Sequence, residues 1–497
     1  MSKRVLLGSR YSVIEPLGIL HLATIARQEG FETKITLIKD DDFDEFDKTV
    51  KEFSPDFIAL TIYTGNHMQI FSYLEKLKSE NPKVKIAVGG PHATYFPKES
   101  MQYADYVVLS EGFDSFRRIL RGDAKPGIVH LNKREPFPIP EREMFYKAYP
   151  KHGSSPIKSV ITQTGCPYSC TYCYNSSTLG NIAHLLTKRQ IEKMKVCLGP
   201  TNRLFPKGFR LVDDIIEEIR IIKKISPLTK MIYFQDDVFG VNVDWIQEFA
   251  EKYPSLGLPF HAQLRFEYAN PKHPKTQEKL ELLKDAGCTG FTFAIESACP
   301  TIRREVLNRN MKTELMFDVM TNLHQMGFKV RTEQMLGLPC GATSEPTKIN
   351  LEADLDTLRL NVLLKEKTGL PTMAWASIFA PYKGTAIGDY CAKHGFYNGS
   401  NNDVPATFFE RSVLRFPKNW VGPNLSADDP DFWLAPKELE DYRNKLQMLR
   451  DLFNYFSLVP KGHRLAKRFL LEDDTGFKRL STVTRHHLYD SVLYDVI

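Results

Sequence analysis

The chain of 497 residues carries 66 basic and 60 acidic side chains, and its net charge of +6 gives little reason to expect a nucleic-acid partner. Its length allows two or three domains, and no apolar stretch reaches the roughly 18 residues that a membrane span needs. Three of the eight cysteines lie in one short segment and five are scattered, unlike a secreted disulfide framework. We therefore expect a cytoplasmic protein with no nucleic-acid and no membrane partner.

Short apolar runs recur through the first 130 residues, among them "RVLLGS", "DFIALTI" and "KIAVGG". Helical segments such as "GILHLATIARQEG" separate them. This alternation predicts five parallel strands with helices between them, in a Rossmann-like (flavodoxin-like) domain over residues 1–130. Such a domain binds ligands at its topological switch point. The fold alone does not settle the ligand, and a domain of this type without a cofactor stays an alternative.

Residues 131–157 are rich in proline and charge and are predicted to be a linker. From residue 158 to about 390, apolar strands such as "MIYF", "FHAQLR" and "GFTFAIES" alternate with amphipathic helices. Six such units predict a partial (β/α)6 barrel, whose working face lies at the carboxyl ends of its strands. Residues 391–497 are predicted to be a mixed, mainly helical region that caps the barrel.

The segment "GCPYSCTYC" places Cys166, Cys170 and Cys173 within eight positions. A zinc site would need a fourth protein ligand, and the chain offers no second cysteine pair with suitable spacing, although His152 and His184 stay as candidates. Three thiolates on an iron-sulfur cube would leave one iron open to an exogenous ligand. Three unligated core cysteines are disfavoured, because the segment is polar and rich in glycine, proline and serine.

In this segment the chain resembles the radical S-adenosylmethionine (SAM) superfamily, whose signature is CxxxCxxC with an aromatic residue before the last cysteine. Cys166, Cys170, Tyr172 and Cys173 match that signature. The resemblance implies that the three thiolates hold a 4Fe-4S cluster and that SAM chelates the fourth iron through its amino and carboxylate groups. The order of the later motifs along the chain supports it.

The resemblance also implies SAM contacts at the ends of the later strands. "FQDDVF" occupies the position that binds the SAM amino group, "RFE" supplies a carboxylate partner, "FAIES" supplies fourth-strand contacts, and "MLGLP" supplies a backbone edge for adenine. The residues implied to bind SAM are Tyr172, Asp236, Asp237, Arg265, Glu296, Ser297, Gly337 and Leu338.

The N-terminal domain is similar to the cobalamin-binding domain that precedes the barrel in one large radical SAM class. The similarity rests on "EPLGILHLA", "TIYTGNH", "VGGPHATYFP" and "LSEGFDSF", which follow the first, third, fourth and fifth strands. The residues it implies for cobalamin binding are Leu17, Gly18, Thr61, Tyr63, Thr64, Gly65, His67, Gly89, Gly90, Pro91, His92, Glu111 and Gly112.

One feature of many cobalamin domains is missing. Where the motif Asp-x-His-x-x-Gly would supply an axial histidine to cobalt, this chain reads "GSRYSVIEPLG". The lower face of cobalt must then meet water or another group, and the loop after the third strand offers Tyr63 and His67. Ligation by His67 is the less favoured of these hypotheses, since a histidine at a helix start is usually solvated.

Taken together, the resemblances imply a cobalamin-dependent radical SAM C-methyltransferase. It would move a methyl group from SAM, by way of methylcobalamin, to an unactivated carbon of a peptide residue or small molecule that the sequence does not identify. The implied cofactors are a 4Fe-4S cluster, SAM and cobalamin, and the implied protein partner is an electron donor such as ferredoxin or flavodoxin. Two alternatives stay open: a cobalamin-containing radical enzyme that cyclises or rearranges without methylating, and a structural iron-sulfur or zinc protein.

Overall fold

A computed structural model describes residues 3–407, 410–425 and 428–472 of the chain. The chain divides into two compact units, which are described separately below. The first comprises Met1–Pro167 and Tyr174–Lys230, and the second comprises Tyr168–Cys173 and Met231–Ile497. The cysteine-rich segment therefore contributes Cys166 to the first unit and Cys170 and Cys173 to the second.

The first unit is built on a parallel sheet in which the strands lie in the order β2-β1-β3-β4-β5-β6. Its strands are β1 (Arg4–Arg10), β2 (Glu32–Ile38), β3 (Phe57–Thr61), β4 (Lys85–Gly89), β5 (Tyr106–Val108) and β6 (Gly127–Val129). The first five match the predicted strands, and β6 extends the sheet by one. The order reverses between β1 and β3, which is the switch point of a doubly wound sheet.

Helices connect these strands: α1 (Leu17–Gln28), α2 (Asp44–Phe53), α3 (His67–Glu80), α4 (Pro91–Tyr95), α5 (Pro97–Ser100) and α6 (Phe113–Arg121). Alternate residues of each strand supply two apolar cores. Leu6 and Ile58 belong to one core with Phe71 of α3, whereas Val5 belongs to the other with Phe116 of α6. A sheet with apolar residues on both faces requires helices on both sides, as the near-continuous apolar runs predict.

The remainder of the first unit consists of shorter elements: α7 (Arg142–Ala148), α8 (Pro150–Ser154), β7 (Ile157–Val160), β8 (Gln163–Thr164), α9 (Leu179–Ile182), α10 (Lys188–Leu198), β9 (Gly208–Phe209) and α11 (Val212–Ile225). Residues 131–157, predicted to be a linker, thus contain two short helices. Strand β8, which lies immediately before the cysteine segment, pairs in antiparallel fashion with β9.

The second unit contains a parallel sheet with its strands in the order β14-β13-β12-β11-β10. These strands are β10 (Met231–Phe234), β11 (Phe260–Leu264), β12 (Cys288–Glu296), β13 (Lys329–Leu336) and β14 (Met373–Ile378). The helices that follow them are α12 (Val243–Lys252), α13 (Pro274–Asp285), α14 (Thr313–Gln325), α15 (Asn350–Thr368) and α16 (Ala386–Lys393). This alternation is that of the predicted partial barrel.

Two further helices, α17 (Pro436–Leu458) and α18 (Gly462–Glu472), complete the described part of the second unit. Leu446 and Phe453 of α17 share an apolar core with Leu336 of β13 and Ile378 of β14. The end of the predicted capping region, residues 473–497, lies outside the described residues. Within the described part of the chain, no helix combines the length and the apolar character that crossing a membrane requires.

Candidate active site

Within the second unit, the cysteine segment lies against the carboxyl end of β11. Cys170 is buried, Cys173 is half-buried, and the Cys173 amide donates to the Cys170 carbonyl at 3.2 Å. Arg265, the residue after β11, places Nη1 3.3 Å from Cys170 Sγ. The positive charge of Arg265 thus faces the buried sulfur that would bind iron. The two cysteines of this unit therefore fit iron-sulfur ligation.

Arg265 is held by two further contacts. Its Nη2 lies 2.8 Å from Glu267 Oε1, and its guanidinium carbon lies 3.5 Å from the ring centroid of Tyr168. Because the arginine already has a carboxylate partner, its most direct link to the site is the sulfur of Cys170. Its predicted contact with the SAM carboxylate stays a prediction.

A second group of polar side chains joins the cysteine segment to the end of β12. The Tyr172 hydroxyl donates to Glu296 Oε1 at 2.7 Å, and Arg309 Nη1 donates to the Tyr172 oxygen at 2.9 Å. Glu296 adopts a positive φ of 67°, next to a register shift between β12 and β13. Burial raises the pKa of Glu296, although Arg309 acts in the opposite direction. An unusual backbone conformation held by buried polar contacts is typical of functional sites.

Ser297 follows Glu296 and lies in a turn that one buried arginine fixes. Arg303 Nη1 donates to the carbonyls of Ser297 at 2.7 Å and Ala298 at 2.9 Å. The Ser297 hydroxyl accepts from the Cys299 amide at 3.3 Å. The structure thus places Ser297 beside Glu296 at the carboxyl edge of the sheet, as the sequence predicts.

The two aspartates after β10 have different surroundings. Asp236 is fully buried, whereas Asp237 is exposed. Both lie within three residues of the end of β10, at the edge where Arg265 follows β11 and Glu296 ends β12. The burial of Asp236 makes it the stronger of the two predicted acceptors for a bound ammonium group.

The loop after β13 is fixed by the capping region. Gly337 has a φ of +70°, and its amide donates to Asp354 Oδ1 of α15 at 2.9 Å. The Tyr442 hydroxyl of α17 donates to Asp354 Oδ2 at 2.7 Å. Burial raises the pKa of Asp354 to about 6. Helix α17 therefore helps to set the backbone of Gly337 and Leu338, the predicted adenine edge.

In the first unit, the residues predicted to bind cobalamin lie along the carboxyl edge of the sheet. Thr61 ends β3, Gly89 ends β4, and Leu17 begins α1 after β1. Gly90 has a φ of +90°, and a Cβ atom there would lie 2.7 Å from Thr61 Cγ2. Only glycine fits this position, which leaves an open backbone surface for a large flat ligand. The remaining predicted residues, Gly18, Pro91, Glu111 and Gly112, lie in the loops and helix starts of the same edge.

Polar groups in these loops are left without partners inside the protein. Oε1 of Glu111 and both amide atoms of Asn66 are buried, and none has a hydrogen-bond partner among the described residues. Burial raises the pKa of Glu111 to about 6. Buried polar groups without partners are costly, so they point to a ligand that satisfies them. Cobalamin, whose corrin ring carries amide side chains, fits this set of donors and acceptors.

The loop after β3 separates its two candidate axial groups. Tyr63 is 45% exposed, whereas His67 is 1% exposed and stacks on the ring of His92 at a centroid distance of 4.2 Å. The Gly65 amide donates to His67 Nδ1 at 3.3 Å, and Thr64 Oγ1 lies 3.0 Å from His92 Nδ1. The imidazole of His67 is therefore used inside the unit, and Tyr63 is the candidate that faces outward.

Glu99 lies beside both histidines, with its carboxylate oxygens 4.0 Å from His67 Nε2 and 3.4 Å from His92 Nε2. Nitrogen and oxygen atoms of these three side chains all lie within 4.8 Å of one another, as metal ligands would. However, Nδ1 of His67 accepts a hydrogen bond from the Gly65 amide, which places the ring proton on Nε2. The cluster accordingly favours hydrogen bonding that joins the β3 and β4 loops.

Two family models match this chain. The B12 binding domain model matches residues 3–120, and the Radical SAM superfamily model matches residues 160–344, so that the two cover more than half of the chain. An uncharacterised methyltransferase of Pyrococcus horikoshii is 24% identical over 475 residues, covering 90% of this chain and 92% of that protein. The cytidylyl-2-hydroxyethylphosphonate methyltransferase of Streptomyces wedmorensis is 22% identical, covering 83% and 84%.

A solved structure shares the fold over the whole chain. The radical SAM methyltransferase TsrM of Kitasatospora setae, with cobalamin and a 4Fe-4S cluster bound, has a TM-score of 0.57 and 14% identity, covering 98% of this chain and all of that one. The chain belongs to the cobalamin-dependent radical SAM methyltransferases. The predicted fold class and the predicted cofactors, a 4Fe-4S cluster, SAM and cobalamin, are confirmed. Because the chain belongs to this methyltransferase family, the alternative that it is a structural zinc protein is excluded.

Several side chains that organise the sites of this methyltransferase were not predicted from its sequence. Arg309 contacts Tyr172, Arg303 fixes the Ser297 turn, and Asp354 with Tyr442 fixes the Gly337 loop. Arg309 is 137 residues from Tyr172 and Tyr442 is 88 residues from Asp354, whereas Arg303 is six residues from Ser297, and none of these four lies in a recognisable motif. Asn66 could have been predicted from the sequence, because it lies between Gly65 and His67 in the loop that was predicted to bind cobalamin.

Proposed function

We propose that this methyltransferase transfers a methyl group to an unactivated carbon of its substrate by a radical route. When bound, the cluster supplies the electron that splits SAM, and cobalamin carries the methyl group to the substrate. One observation supports the proposal above others: a three-cysteine loop beside a buried arginine occurs in the same chain as a B12 binding domain. The substrate class stays a peptide residue or a small molecule, and the electron donor a ferredoxin or flavodoxin.

The proposed roles follow from the contacts. Cys166, Cys170 and Cys173 would hold the cluster, and Arg265 would place its positive charge 3.3 Å from the Cys170 sulfur. Asp236 and Asp237 would accept hydrogen bonds from the ammonium group of SAM. Glu296, Ser297 and the backbone of Gly337 and Leu338 would orient the rest of SAM. The Gly90 surface and Glu111 would hold the corrin ring in the first unit.

The products measure the proposed route directly. If one SAM molecule supplies the radical and another supplies the methyl group, each methylated product should accompany one 5′-deoxyadenosine and one S-adenosylhomocysteine. Chromatography with mass detection of the reconstituted enzyme checks this ratio. Asp236→Asn should lower both nucleoside products together by about tenfold, because a hydrogen bond to a charged group contributes roughly 1.5 to 3 kcal/mol.

Two product patterns would contradict parts of this proposal. Methylated product without 5′-deoxyadenosine would mean that methyl transfer is polar, and 5′-deoxyadenosine with a product of unchanged carbon count would mean that the enzyme rearranges its substrate. Asp237→Asn is the matched control for Asp236→Asn, because the two residues are adjacent and differ in burial. A larger loss of both nucleoside products in the Asp237 variant would mean that Asp237, and not Asp236, is the more important acceptor for the ammonium group.

The burial of His67 leads to a prediction about cobalt. Because the imidazole is enclosed by His92, Glu99 and the Gly65 amide, we expect bound cobalamin to be base-off and to lack a protein nitrogen ligand. The paramagnetic resonance spectrum of the Co(II) form should then show no axial nitrogen splitting. Splitting that disappears in His67→Ala would overturn this prediction. A spectrum that changes in Tyr63→Phe alone would place the phenol near cobalt.

A further inference from the structure

Helix α10 presents basic side chains on the surface of the first unit. It turns Met194 and Leu198 inward, while Arg189 and Lys193 are exposed one helical turn apart on the same side. Val196 is 85% exposed beside them. Within residues 3–407, 410–425 and 428–472, neither Arg189 nor Lys193 forms an ion pair. These positive charges are therefore available to a partner.

Three more basic residues extend this surface. Arg134 Nη1 donates to the Lys207 carbonyl at 2.9 Å, and Lys133 lies next to Arg134 in the chain. Met194 and Leu198 of α10 share an apolar core with Leu131 and Leu204, which lie a few residues before Arg134 and Lys207 in the chain. Lys133 lies 3.2 Å from Glu135 and Arg134 lies 3.8 Å from Glu111, so these two charges are partly compensated, whereas Arg189, Lys193 and Lys207 form no ion pair among the described residues. We call the group the basic face; its members are Lys133, Arg134, Arg189, Lys193 and Lys207.

Lys207 of the basic face lies close to Cys166, the first cysteine of the segment "GCPYSCTYC". A Cβ atom on Gly165 would lie 2.8 Å from the Lys207 amide nitrogen, so the backbones of these two residues are in contact. Strand β8, which precedes Gly165, pairs with β9, which follows Lys207. Arg203 Nη1 also donates to the Cys166 carbonyl. Lys207 and Cys166 are therefore connected by backbone segments that contact each other within the first unit.

We propose that the basic face docks an acidic electron-donor protein of the flavodoxin type. The inference rests on the proposed function, because only an enzyme that splits SAM reductively needs such a donor. In the transfer the donor is oxidised by one electron and the cluster is reduced by one, and no bond is formed or broken. Electron-transfer partners form small interfaces that opposite charges steer together. The basic face offers positive charge to an acidic donor, and it contacts the segment that contains Cys166.

A charge-reversal pair tests the docking. Lys193→Glu with Lys207→Glu changes two members of the basic face, and Lys83→Glu with Lys125→Glu makes the same change in charge at two exposed lysines elsewhere in the unit. We expect the first pair to weaken binding of a flavodoxin, measured by interferometry at low ionic strength, by about tenfold or more, and the second to leave it unchanged. Binding by the unmodified chain should weaken as salt is raised.

Zero-length carbodiimide cross-linking gives a second readout that is independent of turnover. Peptide mapping should find links from flavodoxin carboxylates to Lys193 and Lys207 and none to Lys83 or Lys125. Equal binding by both double variants, or cross-links confined to other lysines, would overturn the proposal. Tighter binding of an RNA oligonucleotide than of flavodoxin, lost in the same variant, would assign the basic face to nucleic acid instead.

The choice of reductant separates docking from damage to the cluster loop. In Lys193→Glu with Lys207→Glu, 5′-deoxyadenosine formation should slow when flavodoxin is the reductant and stay unchanged with dithionite, which needs no docking surface. Equal loss with both reductants would show that the lysines support the loop and would overturn the proposal. If the unmodified enzyme forms no 5′-deoxyadenosine even with dithionite, the proposed function itself fails, whatever flavodoxin does.

Discussion

Replacing Cys166, Cys170 and Cys173 together by Ala should abolish iron binding and SAM cleavage. Iron is held in such clusters by thiolate ligands, and three of them come from this one segment. Cobalamin binding should survive, because Gly90, Glu111 and the β3 loop lie within the match to the B12 binding domain, residues 3–120, which does not include the cysteine segment. Iron analysis and the optical spectrum after anaerobic reconstitution measure the first effect, and corrin absorbance after gel filtration measures the second.

The matched control replaces Cys197 and Cys299, which are half-buried like Cys166 and Cys173 but lie outside the segment. This double Ala variant should keep its iron and its SAM cleavage. Four irons per chain in the triple variant would contradict the assignment of the cluster. Loss of iron in both variants would mean that the chain had lost its fold instead of specific ligands, and far-ultraviolet circular dichroism would show this.

The sheets and their carboxyl edges could be predicted from sequence because strands and helices leave a repeating pattern. Apolar runs such as that of β1 recur with helical segments between them, and parallel strands bring the residues that follow them to one edge. The family resemblance then assigned Gly90, Glu296 and Gly337 to the sites at these edges. Glu296 ends its strand and the two glycines follow theirs, and all three have an uncommon backbone conformation, with φ of +90°, +67° and +70°.

Burial and partner choice could not be read from the same pattern. His67 and Tyr63 lie four residues apart in one loop, yet the first is enclosed and the second is exposed, because the ring of His92 from another loop covers His67. Asp236 and Asp237 look equivalent in sequence, yet the first is buried and the second is exposed. Such differences depend on contacts between residues that are far apart in the chain, which single-sequence periodicity does not record.

Long-range charge pairing is the clearest case of information missing from motifs. In the first unit, Arg142 Nη2 lies 2.5 Å from Glu218 Oε1, and Arg210 Nη1 lies 2.5 Å from Glu218 Oε2. Arg142 also lies 3.3 Å from Glu15, whose other carboxylate oxygen accepts from the Ser159 amide at 2.7 Å. All these side chains are almost fully buried. Only Glu15 lies in a motif, at the start of "EPLGILHLA", and Arg142 is 76 residues away from Glu218 in the chain.

This buried network connects two functional loops within the first unit. Glu15 lies two residues before Leu17, the first predicted cobalamin contact, and the Arg210 amide donates to the Thr162 carbonyl four residues before Cys166. Arg210 Nη1 also donates to the Ile161 carbonyl at 2.8 Å. Burial alone would raise the pKa of Glu218, but Arg142 and Arg210 outweigh it and hold that pKa below its usual value. The carboxylate is therefore charged and holds two guanidinium groups.

Glu218→Gln should destabilise the first unit by about 3–5 kcal/mol, because removing one partner of a buried ion pair leaves the other charges uncompensated. Glu217→Gln is the matched control: the neighbouring carboxylate is 52% exposed and lies 3.7 Å from Arg220, a surface pair worth about 1 kcal/mol or less. Hydrogen exchange should accelerate in peptides covering α11 and β7 of the Glu218 variant and stay unchanged in those covering β12 and β13. Cobalamin should also bind less tightly, since Glu15 shares Arg142 with Glu218. Equal exchange in the two variants would show that the buried network contributes no more to stability than a surface ion pair.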